Sequence, residues 1–128
     1  METGIKKSCE MEVTKETTAK VMGSGSLDVY ATPSMIALME FASTECIKDE
    51  LEEGQTSVGT AINIKHVSAT PVGMKVRCES ELVKVDGRAL TFSLKVFDEK
   101  GLIGEGEHQR FIVDAKKFTE KTYGKLEK

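Results

Sequence analysis

Glu40 stands apart from the other carboxylates of this sequence because it lies at the edge of a helix's apolar arc, beside Ile36, Ser43 and Ile47 at helical spacings. Partial burial at such a position disfavours the charged carboxylate and raises its pKa toward the range useful for proton transfer, unless a nearby donor stabilises the anion. An ordinary boundary glutamate has the same spacing. His66, one of two histidines, shares the apolar parity of a strand-like stretch with Val58, Ile62 and Ile64. Unless a bulge intervenes, that parity aims it at the core, as a proton carrier or as a histidine satisfied by hydrogen bonds. His108 lies in the polar run Glu105-Gly106-Glu107-His108, which predicts exposure or a place at a pocket rim. Thr32, just before Pro33, reads as a helix N-cap. A hydroxyl there can also orient a water or a carbonyl, while the backbone N–H groups and the helix dipole favour developing negative charge.

Other chemistries have little local support. The sequence has no GxSxG elbow, no P-loop and no GxGxxG. Neither an HxxxH pattern nor a clustered His/Cys/Asp set suggests a metal. The three cysteines, Cys9, Cys46 and Cys78, cannot all pair within one chain and lack zinc-knuckle or CxxC spacing, so free, partly buried thiols are expected.

The elements that must position these residues follow from periodicity. Lys7 to Lys15 alternates, with Cys9, Met11 and Val13 on one face, and predicts a half-buried first strand. Glu16 to Val29 loses that pattern, and its Gly23-Ser24-Gly25-Ser26 run predicts a mobile loop. From Thr32 to about Leu51 a helix is expected, in which Met35, Ile36, Leu38, Met39, Ala42, Ser43, Cys46 and Ile47 fill an unusually broad arc. Such a helix must be wrapped by something. Gly54 follows as a stop. Strands are then expected over Thr56 to Thr70, Met74 to Val85, Ala89 to Phe97 and Leu102 to Val113, with Asp86-Gly87 as a hairpin signal. Gly104 and Gly106 share one face of the last strand, where close packing against another element is the default reason for glycine. Lys116 to Lys128 reads as a solvated end with at most a helical turn. One long helix followed by short-turned strands implies an α+β class, with the helix on one face of an antiparallel sheet.

Length and charge bound the function. A chain of 128 residues suits a single domain, 1–128. A net charge of −3 argues against nucleic acid as the main partner. The apolar run Met35 to Met39 is far shorter than the roughly 18 residues of a membrane helix. Met1 to Lys7 lacks the apolar core of a secretory signal, so the expected location is the cytoplasm and no membrane partner is expected.

Two stretches carry a resemblance. They are Val29-Tyr30-Ala31-Thr32-Pro33-Ser34-Met35-Ile36-Ala37-Leu38-Met39-Glu40 and Ser57-Val58-Gly59-Thr60-Ala61-Ile62-Asn63-Ile64-Lys65-His66-Val67-Ser68-Ala69-Thr70-Pro71-Val72-Gly73. With a looser continuation from Glu105 through Arg110 to Phe118, they resemble the hot-dog-fold thioesterases, most closely the fluoroacetyl-CoA thioesterase type. The resemblance implies an antiparallel sheet wrapped around a long central helix, an acyl-CoA substrate, no cofactor, and a homodimer or higher homo-oligomer. It also implies a catalytic set of Thr32, Glu40 and His66, with Gly59 at the substrate-carbonyl site. Glu40 would be nucleophile or general base, His66 a proton shuttle and Thr32 an orienting hydroxyl. The family's longer, aromatic-bearing lid is replaced here by Val21 to Asp28 without a phenylalanine, which favours a more general acyl-CoA specificity. A non-catalytic acyl-CoA-binding or sensing module is the competing function. Lys75, Arg77 and Lys84 are candidates for CoA phosphate contacts.

Overall fold

A computed structural model describes residues 1–127; Lys128, the end of the expected solvated tail, lies outside the described residues. Strand β1 (Lys6–Glu12) leads through a 3₁₀ turn (Lys15–Thr17) and a short helix α1 (Ala19–Met22) to the long helix α2 (Thr32–Ile47). Strands β2 (Gln55–His66), β3 (Lys75–Asp86), β4 (Ala89–Asp98) and β5 (Gly101–Asp114) follow, then α3 (Ala115–Tyr123) and a 3₁₀ turn (Gly124–Leu126). All strand pairs are antiparallel, in the order β1-β3-β4-β5-β2, so β1 and β2 are the sheet's edges. This is the expected α+β class.

Helix α2 buries Met35, Leu38, Met39, Ala42, Ser43, Cys46 and Ile47 against the sheet, together with Ser34. Their partners are the inward residues of the strands, including Val76, Cys78, Leu82, Phe92, Leu94, Val96 and Ile103. The helix packs chiefly on β3 and β1 and only lightly on β2. A gap therefore opens between α2 and the β2 edge, and the candidate site lies along it.

Several expected boundaries move. The α-helix stops at Ile47, and a 3₁₀ turn (Lys48–Glu50) carries the chain on before Gly54 takes φ +85°. The Glu16 to Val29 stretch is built rather than featureless: Thr18 caps α1, and Gly23 closes it at φ +77°. The tail is a helix of nine residues, capped by the Asp114 carboxylate accepting from Lys117 N. Strand β2 ends at His66, earlier than Thr70, whose buried hydroxyl instead donates to Asp98 Oδ2 at 2.8 Å. All three thiols are free, and burial pushes that of Cys78 up to about 12.

The largest consequence for function comes from one irregularity in β2. Gly59 pairs with Arg110 and Ala61 with Gln109, so Thr60 is an extra residue and the register shifts there. A bulge reverses the in-out alternation of everything beyond it. Ser57 and Gly59 thus share a face with Ile62, Ile64 and His66, opposite the inward Ile112, Arg110, His108, Gly106 and Gly104 of β5. Strict alternation would have put Gly59 and His66 on opposite faces. The bulge puts both on the helix side.

Candidate active site

Thr32 is not the N-cap of α2. Ala31 occupies that position in extended geometry, with no side-chain cap, and Thr32 is the first helical residue with Pro33 next. The hydroxyl thereby stays free of capping, and Thr32 Oγ1 is hydrogen-bonded to His66 Nδ1 at 2.8 Å. The helix start also keeps uncapped N–H groups, the arrangement that stabilises nearby negative charge.

His66 is held at the end of β2, edge-on to the buried ring of Tyr30 at a centroid distance of 6.4 Å. Burial pushes its pKa down from the ordinary 6.5, with the Ser68 backbone opposing. The ring is therefore neutral near pH 7 and able to take a proton. Its Nε2 is buried and has no hydrogen-bond partner among the described residues, which is how an atom reserved for substrate or a water is left. Across the sheet His66 faces Gly104, where a Cβ would stand 2.6 Å from Met35 Sδ. Glycine there lets Met35 seat against the strand one turn after Thr32. Gly106 has the same logic, since a side chain would collide with the backbone of Asn63 and Ile64.

Glu40 lies eight residues beyond Thr32, about 12 Å along the helix at 1.5 Å per residue. Its side chain is 46% exposed, so the desolvation expected from its helical neighbours is not realised in the isolated chain. The broad arc misled because α2 leans away from β2, leaving that flank open. Glu40 Oε2 sits 3.7 Å from Arg110 Nη1. A Cβ on Gly59 would stand 2.9 Å from the same carboxylate oxygen, 3.3 Å from His108 Cε1 and 3.4 Å from Arg110 Nη1. Gly59 is thus the point on which three polar side chains converge.

Of the two places expected for His108, exposure is excluded and the pocket rim holds: its neighbours Glu107 and Gln109 face solvent, while His108 is 2% exposed on the inward parity of β5 and lines the cleft beside Glu40. Arg110, also buried, donates from Nε to Ser57 Oγ at 2.8 Å and from Nη2 to the Ser57 carbonyl at 2.9 Å. Burial pushes the guanidinium pKa down and Glu40 opposes that shift, yet an arginine stays charged in proteins. Ser57 and Arg110 were not among the residues singled out by type and spacing, and His108 was given no part in the catalytic set. The usable signal was the parity that His108 and Arg110 share with Gly104 and Gly106.

Two clefts expose these groups. One of about 290 Å³ is lined by Thr32, His66, Tyr30, Ala19 and Ser24, the other, of about 230 Å³, by Glu40, Gly59, His108, Ile36 and Ile62. Lys75, Arg77 and Lys84 do not join either; Arg77 pairs with Glu79 at 2.8 Å and lies over Phe97. Among the described residues no three His, Cys, Asp or Glu side chains converge as metal ligands, and no helix is long and apolar enough to cross a membrane.

Residues 13–116 match the family of fluoroacetyl-CoA-specific thioesterases. The chain belongs to this family. It is a thioester hydrolase with the hot-dog fold. A fluoroacetyl-CoA thioesterase of Streptantibioticus cattleyicolor is 39% identical over 94 residues, 73% of this chain and 68% of that protein. The solved structure of a threonine-to-serine variant of the fluoroacetyl-CoA thioesterase, in complex with acetyl-CoA, aligns with a TM-score of 0.93 at 32% identity over 98% of both chains. A Thermus thermophilus thioesterase superfamily member gives 0.88 at 30% identity, over 98% of this chain and 92% of its own. Within this thioesterase, the helix start supplies a hydroxyl–imidazole pair and the bulged edge strand supplies the seat of the carboxylate.

Proposed function

We propose that this thioesterase hydrolyses an acyl-CoA to the free acid and CoA, with Glu40, His66 and Thr32 as its reacting groups. The observation that carries the reading is the Thr32–His66 hydrogen bond, made by a hydroxyl spared from capping to a ring whose other nitrogen is buried without a partner. Glu40 acts on the thioester carbonyl, as nucleophile through a mixed anhydride or as general base on water. As nucleophile, the Glu40 carboxylate bonds to the acyl carbon as the C–S bond breaks, and water then cleaves the resulting anhydride to free acid and Glu40; as base, Glu40 takes a proton from the water that itself displaces the thiolate. In both routes the departing thiolate takes up a proton and leaves as CoA. His66 carries that proton, and Thr32 orients the ring and the attacking group. Gly59 and the uncapped N–H groups of α2 line the place where the oxyanion forms. The segment before Val29 contains no phenylalanine, which favours a general acyl-CoA over fluoroacetyl-CoA.

A second copy completes the site in this reading. Within one chain Glu40 and the Thr32–His66 pair line different clefts. Strand β2 is a sheet edge, and Phe41 and Ile62 are exposed beside it. Two β2 edges paired antiparallel would run the His66 end of one strand past the Gln55 end of the other, so that the helix-start cleft of one copy approaches the Glu40 cleft of the other.

The test is thiol release from a panel of acyl-CoAs, acetyl-CoA included. Glu40→Gln should reduce turnover by about 100-fold or more, the scale of a lost general base, while acyl-CoA binding survives. Near-normal hydrolysis by that variant would remove Glu40 from the mechanism, and binding without release by the native chain would favour a sensing module. Sedimentation of an active monomer at micromolar concentration would reject the shared site.

A further inference from the structure

His108 is buried beside the carboxylate yet plays no part in the reaction just described, and its two ring nitrogens are both engaged. Nδ1 lies 2.8 Å from the carbonyl oxygen of Ala61. A carbonyl only accepts, so Nδ1 carries the proton and donates it. In the neutral ring Nε2 is then a lone pair, and Arg110 Nη1 donates to it at 3.1 Å. The assignment is self-consistent, since an Nε2 proton would point at a guanidinium that has only donors. The same Nη1 is the atom closest to Glu40 Oε2, at 3.7 Å. Ser57 holds one side of the planar guanidinium through Nε and Nη2, and the His108 lone pair holds Nη1 on the other, so the plane is pinned from both ends.

We propose that His108 is a positioning residue for Glu40: locked as the Nδ1–H tautomer by the Ala61 carbonyl, it presents Nε2 as the acceptor that aims Arg110 Nη1 at the carboxylate. The bulge at Thr60 belongs to the same device. It sets Gly59 and Ser57 on the face of His108 and Arg110 and brings the Ala61 carbonyl within reach of Nδ1. The inference rests on Glu40 being the reacting carboxylate.

The two amide isosteres separate the two bonds of the ring. Gln in place of His108 can put a side-chain oxygen where Nε2 now accepts from Arg110, whereas Asn can reach only the Ala61 side. Acetyl-CoA hydrolysis should fall about 10-fold or more in kcat for His108→Asn with KM little changed, as expected when a reacting group is misplaced. His108→Gln should recover most of that loss. Two-bond proton–nitrogen NMR of the native protein at neutral pH should report the Nδ1–H tautomer for His108. An Nε2–H tautomer, an imidazolium, or equal kcat in folded Asn and Gln variants would overturn the proposal. Glu40→Gln is run alongside. If it leaves turnover intact the catalytic reading itself has failed, whereas a dead Glu40→Gln with unaffected His108 variants rejects only the positioning role.

Discussion

Gly59 and Glu40 share one volume: a Cβ at position 59 would stand 2.9 Å from Glu40 Oε2. The nearest atom is the far end of a side chain that is 46% exposed and can move aside, but the Cβ would also press on the buried His108 Cε1 at 3.3 Å and Arg110 Nη1 at 3.4 Å. Gly59 carries no positive φ, and alanine is accepted by its backbone. Gly59→Ala should therefore change stability by no more than about 1 kcal/mol, because the roughly 0.5–1 kcal/mol gained over glycine within an element is offset by the push on those two buried groups. Turnover should fall by about 10-fold or more as Glu40 is displaced. Thermal melts and acyl-CoA kinetics on the same preparation check this; a parallel loss of stability would mark Gly59 as a packing residue instead.

Thr32 offers the complementary test, because its hydroxyl serves His66 rather than the helix start. Thr32→Ala should depress hydrolysis strongly yet change stability by no more than about 0.5 kcal/mol, the range of substitutions away from structural features. Thr32→Ser keeps the hydroxyl and should retain most activity. A stability loss near the ~1 kcal/mol of a removed cap would restore the capping role that the sequence alone suggests.

The contrast between these residues shows what periodicity can convey. The buried arc of α2 and the parity of β5 follow from side-chain spacing, and so the helix, the sheet and the inward glycines Gly104 and Gly106 were legible. The hairpin at Asp86-Gly87 was too, since Gly87 takes φ +61° there. A single inserted residue defeats the same method: nothing in Gly59-Thr60-Ala61 announces a bulge, yet Thr60 decides which face Gly59 and Ser57 occupy. For His108 the pocket-rim alternative holds and the exposed one does not. Its glutamate neighbours Glu105 and Glu107 are polar because they point outward, which in a strand implies that His108, on the other parity, points inward. Of the candidate constellation, Thr32, Glu40, His66 and Gly59 were identified by resemblance. The buried Ser57–His108–Arg110 support depends on contacts across strands β2 and β5 that linear spacing does not encode.

Acid sensitivity supplies the last prediction. Burial pushes both His66 and His108 below the ordinary 6.5, with Arg110 adding to the effect on His108 and the Ala61 carbonyl and Glu40 opposing it. Their folded-state values thus lie beneath those of the unfolded chain. From about one unit above 6.5 the rings are neutral in both states and contribute no pH dependence. As pH falls below 6.5 the unfolded chain takes up protons first, so it binds more protons than the native state and stability declines with acidification. The decline continues until the folded-state values are passed, with a slope of at most about 1.4 kcal/mol per pH unit for each histidine. Urea melts between about pH 7.5 and 5, above the range where most carboxylates titrate, should show a plateau followed by this loss. His108→Gln removes one ring and should flatten part of the slope, and His66→Gln the rest. Stability that rises on acidification in this window would mean that the folded state welcomes the charged rings, which contradicts both the donor-only guanidinium facing His108 Nε2 and the unpartnered, water-poor setting of His66 Nε2.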